Sequence, residues 1–198
     1  CVTTMPCDFS TIADRVFLLG GGYKYAMAGE GACYLHAPRG FGTRPSNTGW
    51  FAEFGAIEAK HGGAVGYGDD GLRYLGATYD ATGLYRFNAV RGMLAGESLD
   101  TAAITARIAP LRAKLVAMIT AGEAGVLGEA ELLKPNPAGF QSRFISLRHP
   151  QATQWKSALF DANIITDARD DVLRIGLGIY HDENDLSAFC TTAAKALG

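Results

Sequence analysis

FLLGGGYKYAMAGEGACYLH, residues 17–36, places Lys24 between Tyr23 and Tyr25, with Gly20, Gly21 and Gly22 before it and Gly29 and Gly31 after it. On either side, residues 15–19 (RVFLL) and 32–36 (ACYLH) are rich in apolar and aromatic residues and predict two short strands. The fold is therefore read as a strand, a glycine-rich loop bearing one lysine, and a returning strand. The loop is not a phosphate-binding GxxxxGK[ST] sequence, nor a GxGxxG sequence. A lysine that attacks a carbonyl must be shielded enough for its neutral amine to be available. Aromatic neighbours and glycines that allow close backbone approach suit that task. They suit an ordinary surface lysine beside tyrosines as well.

Working outward, residues 47–71 carry a second glycine cluster and predict irregular structure, and a helix is expected over 81–93. The second half changes character. Ile104, Ile108, Leu111, Leu115, Met118 and Ile119 mark one face of a helix, with Ser98 or Asp100 as its N-cap and Gly122 as its stop. Residues 140–147 predict a strand, and Pro150 suits the first turn of a helix that repeats through Ala152, Trp155, Ala158, Leu159 and Ala162. Short strands are expected at 164–166 and 172–175. A last helix shows Leu186, Phe189, Cys190, Ala193, Ala194 and Leu197 on one face, with Asp182, Glu183 and Asp185 near its positive end. The fold class is α/β, with a boundary between 1–95 and 96–198.

Composition excludes several classes. Of the 198 residues, 48% are hydrophobic and 19% charged, an ordinary globular balance, and a net charge of -2 offers no basic footprint for nucleic acid or an anionic membrane. No apolar run approaches a membrane span, and no signal peptide is recognisable, so a cytoplasmic protein is expected. Cys1, Cys7, Cys33 and Cys190 form no CxxC pair and read as reduced thiols. His36, His61, His149 and His181 lack metal-ligand spacing, so no metal is expected. Cys1 could serve as an N-terminal nucleophile of a hydrolase, although no companion motif follows it.

Three segments, in order along the chain, resemble the class V aminotransferase superfamily of fold-type I pyridoxal-phosphate (PLP) enzymes, and kynureninase most. The first, residues 17–36, is similar to its Schiff-base segment. The second, TGWFAEF at residues 48–54, resembles a Gly-Trp-Phe segment that contacts the PLP phosphate. The third, DARDDVLRIGLGIYHDENDLSAF at residues 167–189, resembles a C-terminal stretch whose arginine binds the substrate carboxylate. The resemblance implies that Lys24 holds the cofactor and shuttles the Cα proton. It also implies that Tyr23 hydrogen-bonds the phosphate, that Trp50 helps cradle it, across a dimer interface in some arrangements, and that Thr78 stands near a further cofactor-binding position. Arg174 would clamp the α-carboxylate of a small amino-acid substrate as a planar fork, with Arg169 as its competitor.

The resemblance further implies a homodimer, and that residues 1–95 end a large PLP-binding domain while 96–198 form a small α/β C-terminal domain. Such a chain carries only the lysine-bearing C-terminal half. The aspartate that pairs with the pyridine nitrogen would fall just before Cys1. Gly29-Glu30-Gly31 replaces a frequent Gly-Pro-Gly, and Ala52 and Glu53 stand where kynureninases carry a histidine. The complete protein would be an aminotransferase or a kynureninase-like C–C hydrolase. A non-catalytic fragment or paralogue of the fold is the alternative.

Overall fold

Strands β1 (Leu18–Gly21) and β2 (Cys33–His36) pair antiparallel, with Leu19 opposite Leu35 and Gly20 opposite Tyr34. The computed structural model describes residues 8–58, 63, 65–134 and 142–198. The first strand begins and ends later than the apolar run 15–19 suggests. Phe17 is drawn out of it to pack against Phe41 and Tyr74, ring centroids 5.4 and 5.6 Å apart. Gly20 and Gly21 extend it because the Tyr34 ring lies where a Gly20 side chain would be, 2.2 Å from a Cβ built there.

The stretch 47–71, expected to be irregular, contains the 3-10 segment Trp50–Ala56, and a second such segment, Gly71–Tyr74, closes it. Buried Arg73 (5% exposed) ties the loops of this region together. Its guanidinium donates to the carbonyls of Pro38, Phe41, Asp69 and Asp70 and lies over the Tyr74 ring. Helix α1 (Thr82–Gly96) starts where Asp80 accepts hydrogen bonds from the Thr82 amide and hydroxyl. These elements belong to the first of two compact units, Cys1–Glu97 and Ser98–Gly198.

The second unit is a four-stranded antiparallel sheet with helices on one face. Helix α2 (Thr101–Thr120) is capped by Asp100, whose carboxylate accepts from the Ala103 amide at 2.7 Å. It ends at Gly122, whose φ of 83 closes the turn through Glu123 N–H to Met118 C=O. Pro110 is accommodated inside this helix. Strands β3 (Glu131–Leu132), β4 (Phe144–Arg148), β5 (Asp167–Arg169) and β6 (Val172–Gly176) line up in the order β3-β4-β6-β5. Ile145 and Leu147 of β4 and Leu173 and Ile175 of β6 alternate into the core against α2, α3 (Ala152–Asp161) and α4 (Glu183–Leu197).

Three expectations move. The strand predicted at 164–166 lies three residues later, because the hairpin is fixed by a two-residue turn at Asp170-Asp171, with Asp170 at a φ of 51, that sets Arg169 opposite Val172. Ile165 is instead 84% exposed outside the sheet. Pro150 stands in the turn before α3 rather than in its first turn, since Gln151 is the N-cap. The strand predicted at 140–147 runs Phe144–Arg148, and residues 140 and 141 lie outside the described residues.

Candidate functional site

The Lys24 loop is held by its own backbone. Gly22 N–H donates to Ala32 C=O at 2.6 Å, Ala28 N–H to Gly22 C=O at 2.9 Å, and Met27 N–H to Lys24 C=O at 2.9 Å. The loop also rests on the start of α1. A Cβ on Gly83 would lie 2.7 Å from the Gly31 carbonyl carbon, so only glycine permits that approach. Arg86, one turn along α1, donates to Ala28 C=O at 3.2 Å. Together these contacts fix the backbone beneath Lys24 while leaving its side chain exposed.

The tyrosines do less shielding than the sequence suggests. Lys24 Nζ lies 5.4 Å from the centroid of the Tyr23 ring, but Tyr23 is itself 50% exposed. A two-stranded sheet has no second layer to cover such a loop, so the described residues cover Lys24 from one side only. What the geometry supplies is an accessible primary amine on a rigid loop, next to an accessible phenol.

Trp50 and Thr78 come from two segments that the fold lays side by side. Gly49 N–H donates to Leu75 C=O and Phe51 N–H to Gly76 C=O, at 3.3 and 3.1 Å. Thr48 donates its hydroxyl to Leu75 C=O at 2.8 Å. A Cβ on Gly49 would fall 2.2 Å from the Gly76 carbonyl carbon, which explains the glycine in TGWFAEF. Trp50 and Phe54 stack loosely, 5.6 Å between centroids, and Phe51 meets Tyr79 edge-on at 6.1 Å. Thr78, exposed, is therefore next to this aromatic cluster and four residues before α1, the helix that carries the Lys24 loop.

Arg174 belongs to the second unit, on the sheet face turned away from the helices. It lies opposite Ser146 of β4 and Asp167 of β5, and its guanidinium is 6.0 Å from the centroid of the Phe144 ring. Its Nη2 donates to Asp167 Oδ2. Burial pushes the Asp167 carboxyl up, but the hydrogen bond and charge of Arg174, with Arg169 adding to them, hold it below the usual carboxylate range. Arg169 reaches the same oxygen only at 3.9 Å and is more exposed. Asp167 was not among the candidates. Its spacing of seven from Arg174 around a two-residue turn is the signal that would have found it.

Other residues take structural places. His36 Nε2 is 2.7 Å from Ala13 C=O, His149 stacks on Trp155 with centroids 4.2 Å apart, and His181 Nδ1 accepts from Gly178 N–H. Among the described residues no group of side chains could hold a metal ion. Cys33 is an exposed free thiol and Cys190 a buried one, its pKa raised by burial and by Glu123. Cys1, Cys7 and His61 lie outside the described residues. A cleft of about 580 Å³ lies on the helix side of the second sheet, between residues 164–166, the end of β6 and α4, and Arg174 does not line it. Among the described residues, no helix is long and apolar enough to cross a membrane.

No family model matches this sequence, and no curated protein sequence matches it. Solved structures do match. A cysteine desulfurase from Thermococcus onnurineus NA1 superposes with a TM-score of 0.71 at 17% identity, over 98% of this chain and 50% of that one. A NifS-like protein gives a TM-score of 0.55 at 19% identity, over 83% of this chain and 42% of that one. The chain thus has the mixed α/β fold of part of these proteins, and spans about half their length or less.

Proposed function

We propose that this chain is the lysine-bearing part of a PLP-dependent enzyme of the class V aminotransferase fold, acting on an amino acid. The observation that carries the reading is the Lys24 loop: an accessible amine between two tyrosines, on a backbone fixed by internal hydrogen bonds and glycine contacts. The fold supports it, since cysteine desulfurases and NifS-like proteins share the class V aminotransferase fold. The residues present fit the cofactor. An aldehyde needs a primary amine open to attack, which Lys24 offers. A phosphate group needs hydrogen-bond donors, which the exposed Tyr23 phenol, Trp50 indole and Thr78 hydroxyl offer.

When bound, PLP supplies an electron sink for bond cleavage at Cα or Cβ of an amino acid. The chain's own residues would do the rest. Lys24 would hold the cofactor through its primary amine and would take and return the Cα proton. Tyr23, Trp50 and Thr78 would hold the phosphate with their phenol, indole and hydroxyl donors. Arg174 would receive the substrate carboxylate through its planar fork.

Within the class, TGWFAEF supports a kynureninase-like branch. A homodimer fits the half-exposed Trp50 and Phe54, an aromatic pair that a second subunit would cover. The test is Lys24→Ala in the natural protein that carries this chain. Turnover of amino acids should vanish, and the visible absorbance of a covalently held cofactor should vanish with it. Retention of both would refute the reading.

A further inference from the structure

Arg174 is the residue read above as the carboxylate clamp, and a clamp is useful only if its fork is aimed. A free arginine side chain samples many rotamers, so an unrestrained Arg174 would lose much of its binding strength on ordering. The structure shows what restrains it. Asp167 and Arg174 are directly opposed in the β5–β6 ladder, on the face turned away from the helices, because Leu173 and Ile175 on either side of Arg174 are committed to the core. The hydrogen bond runs from a single guanidinium nitrogen, Nη2, to a single carboxylate oxygen, Oδ2. Phe144 lies beneath the guanidinium, limiting its swing on the other side.

That pairing leaves capacity unused. A guanidinium carries five N–H donors, and Asp167 takes one edge position. Arg174 Nε is buried and has no hydrogen-bond partner among the described residues. The Arg174 side chain is 32% exposed, so donors other than this buried Nε remain open to a second acceptor. The same Asp167 oxygen is 3.9 Å from Arg169 Nε, and Arg169 is 71% exposed against 32% for Arg174. Asp167 therefore selects Arg174 and leaves Arg169 to solvent.

We propose that Asp167 is the positioning residue for Arg174, holding the guanidinium so that its remaining donors meet the α-carboxylate of an amino-acid substrate. This rests on the reading of Arg174 as the carboxylate site. Asp167 touches no substrate. It acts through Arg174, so its effect belongs to ligands with a carboxylate and to no others.

The experiment uses the natural PLP-loaded protein and measures equilibrium binding by calorimetry. The probes are L-alanine and ethylamine, which share an amine but differ in the carboxylate. Asp167→Ala should weaken L-alanine about tenfold, the scale of losing one charge-assisted restraint, and leave ethylamine unchanged. Asp167→Asn should stay within about threefold of the parent, because an amide oxygen still accepts from Nη2. A merely structural Asp167 would instead lower the thermal midpoint and weaken both probes alike, which overturns the proposal. Parent-like binding of L-alanine by Asp167→Ala, alongside weakened binding by Arg174→Ala, overturns this inference alone. Parent-like binding by Arg174→Ala overturns the carboxylate site and the inference together.

Discussion

The two units differ in what they bury. In Ser98–Gly198 the core is made of Ile104, Ile108, Leu111, Leu115, Leu127, Ile145, Leu147, Trp155, Leu159, Leu173 and their neighbours. Among the described residues of Cys1–Glu97 the buried apolar side chains are Ala26, Ala28, Ala32 and Ala52. The large apolar side chains follow the opposite distribution: among the described residues sixteen are exposed in the first unit, from Phe17 to Met93, and three in the second, Phe160, Ile165 and Tyr180. Side chains as small as alanine contribute little burial free energy. The second unit has what it needs to be stable alone. The first is the unit that holds Lys24, Tyr23, Trp50 and Thr78. The residues proposed to hold the cofactor sit in the unit with the smaller described core.

The largest effect expected from this contrast comes from separating the units. Residues 98–198 expressed alone should unfold in one cooperative transition by denaturant. Residues 1–97 alone should show none and should bind a hydrophobic dye. Equal cooperativity in both would erase the distinction.

A single-residue version is Leu173→Ala, which removes a fully buried side chain and should cost about 2–5 kcal/mol in chemical denaturation. Leu35→Ala on β2, already exposed, should change stability by no more than about 0.5 kcal/mol. Similar costs at the two positions would show that the first unit has a core of its own.

What order the first unit has depends on polar pinning, and Arg73→Ala tests that. Removing this guanidinium orphans carbonyls in the loops at 38–41 and 69–70, and should cost on the order of 2–3 kcal/mol. It should also raise amide exchange in those loops while leaving 98–198 unchanged.

The smallest effect concerns α4. Backbone hydrogen bonds from Asp185 and then Asn184 hold the Asp182 carboxyl below its usual range. A carboxylate with a lowered folded-state pKa contributes stability above its unfolded value of about 3.9, and that contribution is lost as pH falls through the lowered value. The drop in thermal midpoint between pH 6 and pH 3 should be smaller in Asp182→Ala than in the parent. Identical drops would remove the cap from the account.

How well the sequence could be read did not follow that division. The faces of α2 and α4, the Asp100 cap and the Gly122 stop were legible because each rests on local spacing or a single capping residue. The strand at Asp167–Arg169 was misplaced because 164–166 (IIT) reads as more strand-like than DAR, and only the turn at Asp170-Asp171 decides the register. For the same reason the Asp167–Arg174 pair went unseen, being a cross-strand contact with no periodic signature. The two-residue strand Glu131–Leu132 is held by pairing with β4 and gives no local signal of its own. In the first unit the lysine loop was legible from glycines and tyrosines. Its openness was not, since exposure depends on which layer covers it.

Lys24 is the proposed cofactor anchor, and every other assigned role depends on it. The direct measurement is borohydride reduction of the natural PLP-loaded protein, followed by digestion and mass mapping. The expected result is the cofactor's mass on the peptide that contains Lys24, with no label in the Lys24→Ala variant. Label on another lysine of the folded protein, such as Lys60 or Lys134, would contradict it.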